Sequence, residues 1–159
     1  METHEISELV KESTERVFRS MVFIDVEGEI ATGDLHIPGQ NMTAMIGIAG
    51  AWVGLASIHC SESFAKRIGA AMMGMEQDNL SGEDVRDALG EVANMIAGDV
   101  KAKISETLPR DEKVFEQSVP SVICGQDCQI HTATDAPRYS VHFRGDGESF
   151  TVEMALKRA

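Results

Sequence analysis

Positive charge is scarce in this 159-residue chain: 14 lysines and arginines stand against 26 aspartates and glutamates, a net charge of −12. A surface of that sign repels phosphate backbones and anionic headgroups, which argues against nucleic acid and membranes as partners. No run approaches the roughly 20 apolar residues that a membrane span requires. The charged start, Met1-Glu2-Thr3-His4-Glu5, lacks the apolar core of a signal peptide. A cytoplasmic location is expected. The three cysteines, Cys60, Cys124 and Cys128, are odd in number and fit reduced thiols better than a disulfide framework. Low-complexity segments and internal repeats are absent, and so is a Gly-rich phosphate loop. Gly145-Asp146-Gly147 precedes a strand rather than a helix.

What is present is ordinary globular material, 43% hydrophobic and 25% charged, long enough for one core. Ile6, Leu9, Val10 and Val17 recur at helical spacing and predict an N-terminal helix over about residues 2–20. Met42–Ile48 and Trp52–His59 read as strands joined by the small residues Ala49-Gly50-Ala51. Ser61 offers an N-cap for a helix over 62–75, with Phe64, Ala65, Ile68 and Met72 as its apolar stripe. A third helix opens at Ser81, where Asp84 completes capping-box spacing, and runs to about Glu106, short of Pro109. Phe115–Ile123 reads as a strand that Pro120 confines to an edge or a bulge. Tyr139–Arg144 and Phe150–Lys157 alternate about an Asp146-Gly147 turn, the pattern of a half-buried hairpin. Residues 23–40 fit none of these patterns. Strands arriving in adjacent pairs predict an α/β protein of the α+β kind. A single domain over 1–159 is expected, with its core over about 42–159 and an antiparallel or mixed sheet flanked by helices.

The third helix carries the chemical signal. At about 100° per residue, Val85, Ala88, Leu89, Val92 and Ile96 share a core-facing side. Asp87, Glu91 and Asn94 fall together on the side opposite. Gly98 continues that strip one turn later, where a missing side chain would admit another surface. A solvated helix face would produce the same periodicity. Against it, Gly90 and Gly98 each cost roughly 1 kcal/mol of helix propensity, and Asn94 is a weak helix former in mid-helix. Such local costs gather where function overrides preference.

The run Asp87-x-x-x-Glu91-x-x-Asn94, followed by Pro120 in Val119-Pro120-Ser121-Val122, resembles the signature of the CheC/CheX chemotaxis phosphatases. Gly54-Leu55-Ala56-Ser57, Ala65-Lys66-Arg67-Ile68, Met72-Met73-Gly74 and Phe150-Thr151-Val152-Glu153 resemble that family in the same order. The interval from Asn94 to Pro120 is a few residues longer than the family pattern. Ala65 stands where a second active helix would need asparagine, so the resemblance implies one site per chain, as in the CheX branch, whose members are typically homodimers. It further implies a phosphorylated CheY-like receiver as partner, in a chemotaxis or other two-component circuit. Glu91 and Asn94 would be the catalytic residues, and Asp87, Gly98 and Pro120 the supporting ones. No cofactor bound by this chain is implied, because the Mg²⁺ belongs to the receiver's own site. A non-catalytic module of the same fold, binding receivers or flagellar-switch components, is the alternative.

Other constellations carry less. Cys124-x-x-x-Cys128-x-x-His131, with His142, lacks the tight Cys-x-x-Cys knuckle of zinc sites, so no metal is expected. His59 and Cys60 are strand neighbours that point to opposite faces and cannot form a nucleophile–base pair. The nine methionines, Met72, Met73 and Met75 among them, read as core and interface filler.

Overall fold

The alternating C-terminal segments become two long strands, β6 (Arg138–Gly145) and β7 (Glu148–Arg158). Asp146 and Gly147 join them with φ of +54° and +77°, the left-handed pair that a two-residue hairpin matched to strand twist requires. A computed structural model describes residues 2–31, 33, 35–112, 115–129 and 135–159 of the chain. A second hairpin, β2 (Gln40–Gly50) with β3 (Trp52–Ser61), pairs with the first through β3 and β7. β1 (Glu27–Ile30) adds to β6 at one edge, within the segment that sequence patterning left unassigned. Every pairing is antiparallel, in the order β1-β6-β7-β3-β2, with β4 (Phe115–Gln117) and β5 (Ser121–Gln126) together forming the far edge along β2.

The expected strand over 115–123 is thus two strands on one edge, broken at Ser118–Pro120. Proline has no N–H for the ladder, and an edge with a break tolerates it. Ser118 bridges the gap: its Oγ accepts from Gly47 N at 2.8 Å, and its own N donates to Gly47 O at 2.9 Å.

Helices α1 (Thr3–Val17), α2 (Glu62–Met73) and α3 (Gly82–Glu106) pack against the sheet and each other. α1 widens into a π-helical turn over Phe18–Val22. α2 is capped by Ser61 Oγ, which accepts from Phe64 N at 3.0 Å. It stops two residues before the expected Met75, because Gly74 turns left-handed with φ of +61°. At α3, Ser81 Oγ accepts from Asp84 N and Asp84 Oδ2 accepts from Ser81 N, both at 3.0 Å, completing the capping box. Phe150 of β7 stacks with Phe18, Phe64 and Phe143 at centroid separations of 4.9–5.1 Å. That cluster locks the α1 exit, α2 and the C-terminal hairpin into one core. α3 lies across β2 and β3, between α1 and α2, and its side meets the broken β4–β5 edge.

Candidate functional site

Val85, Ala88, Leu89, Val92 and Ile96 are all buried, so the rotation of α3 matches its apolar period. Asp87 and Glu91 stand exposed on the other side, one turn apart, and Asn94 follows half-buried. The strip is narrower than periodicity alone suggests, because the chain's own edge covers part of it. Gly90, Ala93 and Ala97 are buried beside it. Pro120 sits directly on Gly90, where a Cβ would lie 3.1 Å from Pro120 Cβ and 3.8 Å from Val122 Cγ2. The helix cost of Gly90 therefore has a steric cause: α3 and the strand break approach too closely for a side chain.

The two elements enclose a cleft of about 310 Å³ lined by Arg86, Asp87, Gly90, Glu91, Val119 and Pro120. Val119 forms its lip and is 84% exposed, the most exposed large apolar side chain among the described residues. Pro120 thus joins Asp87 and Glu91 in space. Gly98 also faces a neighbour, and the neighbour is internal: a Cβ there would lie 3.4 Å from Gln117 Oε1. Gln117, at the end of β4, has its Nε2 3.1 Å from Asn94 Oδ1 and 3.3 Å from Asn94 main-chain O. Nothing local in the sequence marks this residue.

The arrangement offers a carboxylate that can accept from a cation and a neutral carboxamide that can both donate and accept. The side chains with polar groups that line the cleft are Arg86, Asp87 and Glu91.

The remaining constellations do not assemble. Cys124 lies on β5 and His142 on β6, with β2, β3 and β7 between them. Four inter-strand spacings of about 4.8 Å put them roughly 19 Å apart, far beyond shared coordination. His131 lies outside the described residues. No group of three His, Cys, Asp or Glu side chains among the described residues could hold a metal ion. Cys60 is fully buried, and burial, reinforced by the Glu148 charge, pushes its thiol up, away from nucleophilic use. His59 projects from the opposite face of β3, where its Nδ1 is 2.6 Å from Thr43 Oγ1. A second cavity of about 190 Å³ beside it is lined by Ser57, Thr151, Ser140, Glu153 and Arg138. There Glu153 is engaged by Arg138 at 2.9 and 3.0 Å and by Ser140 at 2.5 Å.

Comparison with known proteins gives one matching family model. A family model described as "Chemotaxis phosphatase CheX" matches residues 42–144. The fold is similar to that of the chemotaxis protein CheX from Desulfovibrio desulfuricans, with 28% identity, a TM-score of 0.79, and 96% of this chain and 99% of that one covered. CheX from Vibrio vulnificus is 23% identical, with a TM-score of 0.79 and 99% of both chains covered. A CheX–CheY–BeF3–Mg²⁺ complex from Borrelia burgdorferi contains a similar chain, 21% identical, with a TM-score of 0.75 and coverage of 95% and 97%. No curated protein sequence matches significantly.

Proposed function

The chain belongs to the CheX family of chemotaxis phosphatases, and from that premise we propose that it hydrolyses the aspartyl phosphate of a CheY-like receiver, using Glu91 and Asn94. The observation that carries this reading is the placement of both side chains on one rigid stretch of α3, beside an open cleft at a strand break. The Borrelia relative is found in complex with CheY, BeF3 and Mg²⁺. A docked receiver would bring its own Mg²⁺, and that ion would neutralise charge on the phosphoryl oxygens.

This chain's part is positioning. Asn94 reaches into the partner's site and accepts a hydrogen from the attacking water, aiming the water's lone pair at phosphorus. The water O–P bond forms as the bond from phosphorus to the receiver's carboxylate oxygen breaks, and the water's proton leaves with the phosphate. A carboxamide suits this step because it remains neutral and cannot itself become an acyl-phosphate acceptor. Glu91 accepts from a cationic side chain of the receiver and sets the docking angle. Asp87 and Pro120 shape the cleft, and Gly98 lies against Gln117 behind Asn94. Phosphoryl transfer needs little covalent help, so orientation of one water accounts for the acceleration.

A cytoplasmic, homodimeric state is part of this reading; no described helix is long and apolar enough to cross a membrane. The test is the decay of a phosphorylated receiver with and without the protein. Acceleration by the wild type that disappears in Asn94→Ala, with receiver binding retained, supports the reading. Binding without acceleration, for every receiver of the source organism, would overturn it in favour of a non-catalytic module.

A further inference from the structure

Gln117 Nε2 is within hydrogen-bond distance of two oxygens of the same residue, Asn94 O and Asn94 Oδ1. A main-chain carbonyl can only accept, so the end of the Gln117 amide that faces it must be the NH₂ end. That settles which way Gln117 is turned. The same NH₂ lies 3.1 Å from Asn94 Oδ1, which accepts from it. Asn94 is thereby held with Oδ1 toward β4 and Nδ2 turned away. Gly98 lies beside this contact: a methyl group there would meet Gln117 Oε1 at 3.4 Å, an ordinary van der Waals separation.

An unrestrained carboxamide has two nearly isosteric orientations that exchange donor and acceptor. For a group that orients water the exchange matters. An acceptor takes the water's hydrogen and leaves its lone pair free, whereas a donor occupies the lone pair that must attack. With Gln117 bound, Oδ1 keeps a second lone pair for the water, and Nδ2 can donate to a phosphoryl oxygen.

We propose that Gln117 is a positioning residue for Asn94. It selects one of the two carboxamide orientations. The proposal rests on the reading of Asn94 as the water-orienting group.

The experiment compares wild type, Gln117→Glu, Gln117→Ala, Asn94→Ala and the Gln117→Glu/Asn94→Ala pair in the receiver dephosphorylation assay. Glutamate keeps the shape but has no donor, and its oxygens would face Asn94 O and Oδ1, turning the carboxamide round. Expected are a fall in kcat of about ten- to a hundredfold for Gln117→Glu, a smaller fall for Gln117→Ala, and an unchanged KM for the phosphorylated receiver. In the Asn94→Ala background, where turnover is lost but receiver binding remains, Gln117→Glu should leave that binding unchanged, whereas a merely structural role would weaken it in both backgrounds. Full kcat in Gln117→Glu, alongside an inactive Asn94→Ala, would overturn the proposal and leave the phosphatase reading standing. A wild type that accelerates nothing would fail that earlier reading instead. Side-chain amide NMR of the free protein then decides separately. The Asn94 NH₂ pair must shift in Gln117→Glu and Gln117→Ala, and an unmoved pair in either folded variant would refute the contact.

Discussion

Pro120 rests on Gly90 so closely that a β-carbon on the glycine would lie 3.1 Å from the proline's own. This contact joins α3 to the broken edge strand and forms the floor of the cleft beside Glu91. Gly90→Ala sets about 1 kcal/mol of helix propensity against compression of that contact. Pro120 lies in the irregular Ser118–Pro120 segment and can yield by a few tenths of an ångström. The expected outcome is a urea midpoint equivalent to within about 1 kcal/mol of wild type. Gly90→Val should lose about 1–3 kcal/mol through overpacking. Both should slow receiver dephosphorylation, because Pro120 moves relative to Glu91. A loss above about 2 kcal/mol in Gly90→Ala would show that the strand break is held as firmly as a core element.

Glu91 is exposed, so its contribution is expected in the complex and not in the stability of the free chain. A charge-assisted hydrogen bond is worth about 1.5–3 kcal/mol, which corresponds to a ten- to hundredfold rise in KM for Glu91→Ala, with some loss of kcat. Glu91→Gln should lie between the two. The penalty should be largest at low salt, since added ions screen the attraction that the wild type alone possesses. Unchanged KM at low salt would remove Glu91 from the docking contact.

Burial of His59 lowers its pKa, so the native state binds fewer protons there than the unfolded chain. Stability from this group is complete above the unfolded value of about 6.5. It declines as pH falls through that value and on through the lowered native one. Melting temperature measured from pH 8 to pH 5 should therefore fall in the wild type more steeply than in His59→Gln. Parallel curves would show that the Thr43–His59 pair carries no proton linkage.

Much of this architecture is local and therefore legible. The hairpin of β6 and β7 follows from strict alternation about an Asp-Gly turn, and the shared face of Asp87, Glu91 and Asn94 follows from the helical period alone. What stayed hidden depends on partners distant in the chain. Glu27–Ile30 has only one strong β-former, and it is a strand because β6 offers an edge. Gly98 does face a close neighbour, yet spacing gives no way to see that the neighbour is Gln117. The Asn94–Gln117 contact spans 23 residues and two elements. The strand carrying Pro120 reads as one piece from composition, and its division into β4 and β5 appears only when both halves pair with β2.

The three cysteines offer a readout of how firmly α2 covers the sheet. Cys124 is exposed on the β5 edge and Cys128 is half-buried beyond it, whereas Cys60 is fully buried at the β3–α2 junction. Thiol reagents attack the thiolate, and Cys60 is disfavoured twice, by lack of access and by a pKa pushed up through burial and the charge of Glu148. Native protein should therefore titrate two thiols, Cys124 faster than Cys128, and release the third only in denaturant. In Cys124→Ser/Cys128→Ser the residual rate should follow the opening of the core, rising with urea as global stability falls. Reaction of Cys60 at a rate near that of Cys124, without denaturant, would mean that α2 lifts from β3 far more readily than its cap and its stacked Phe64 allow.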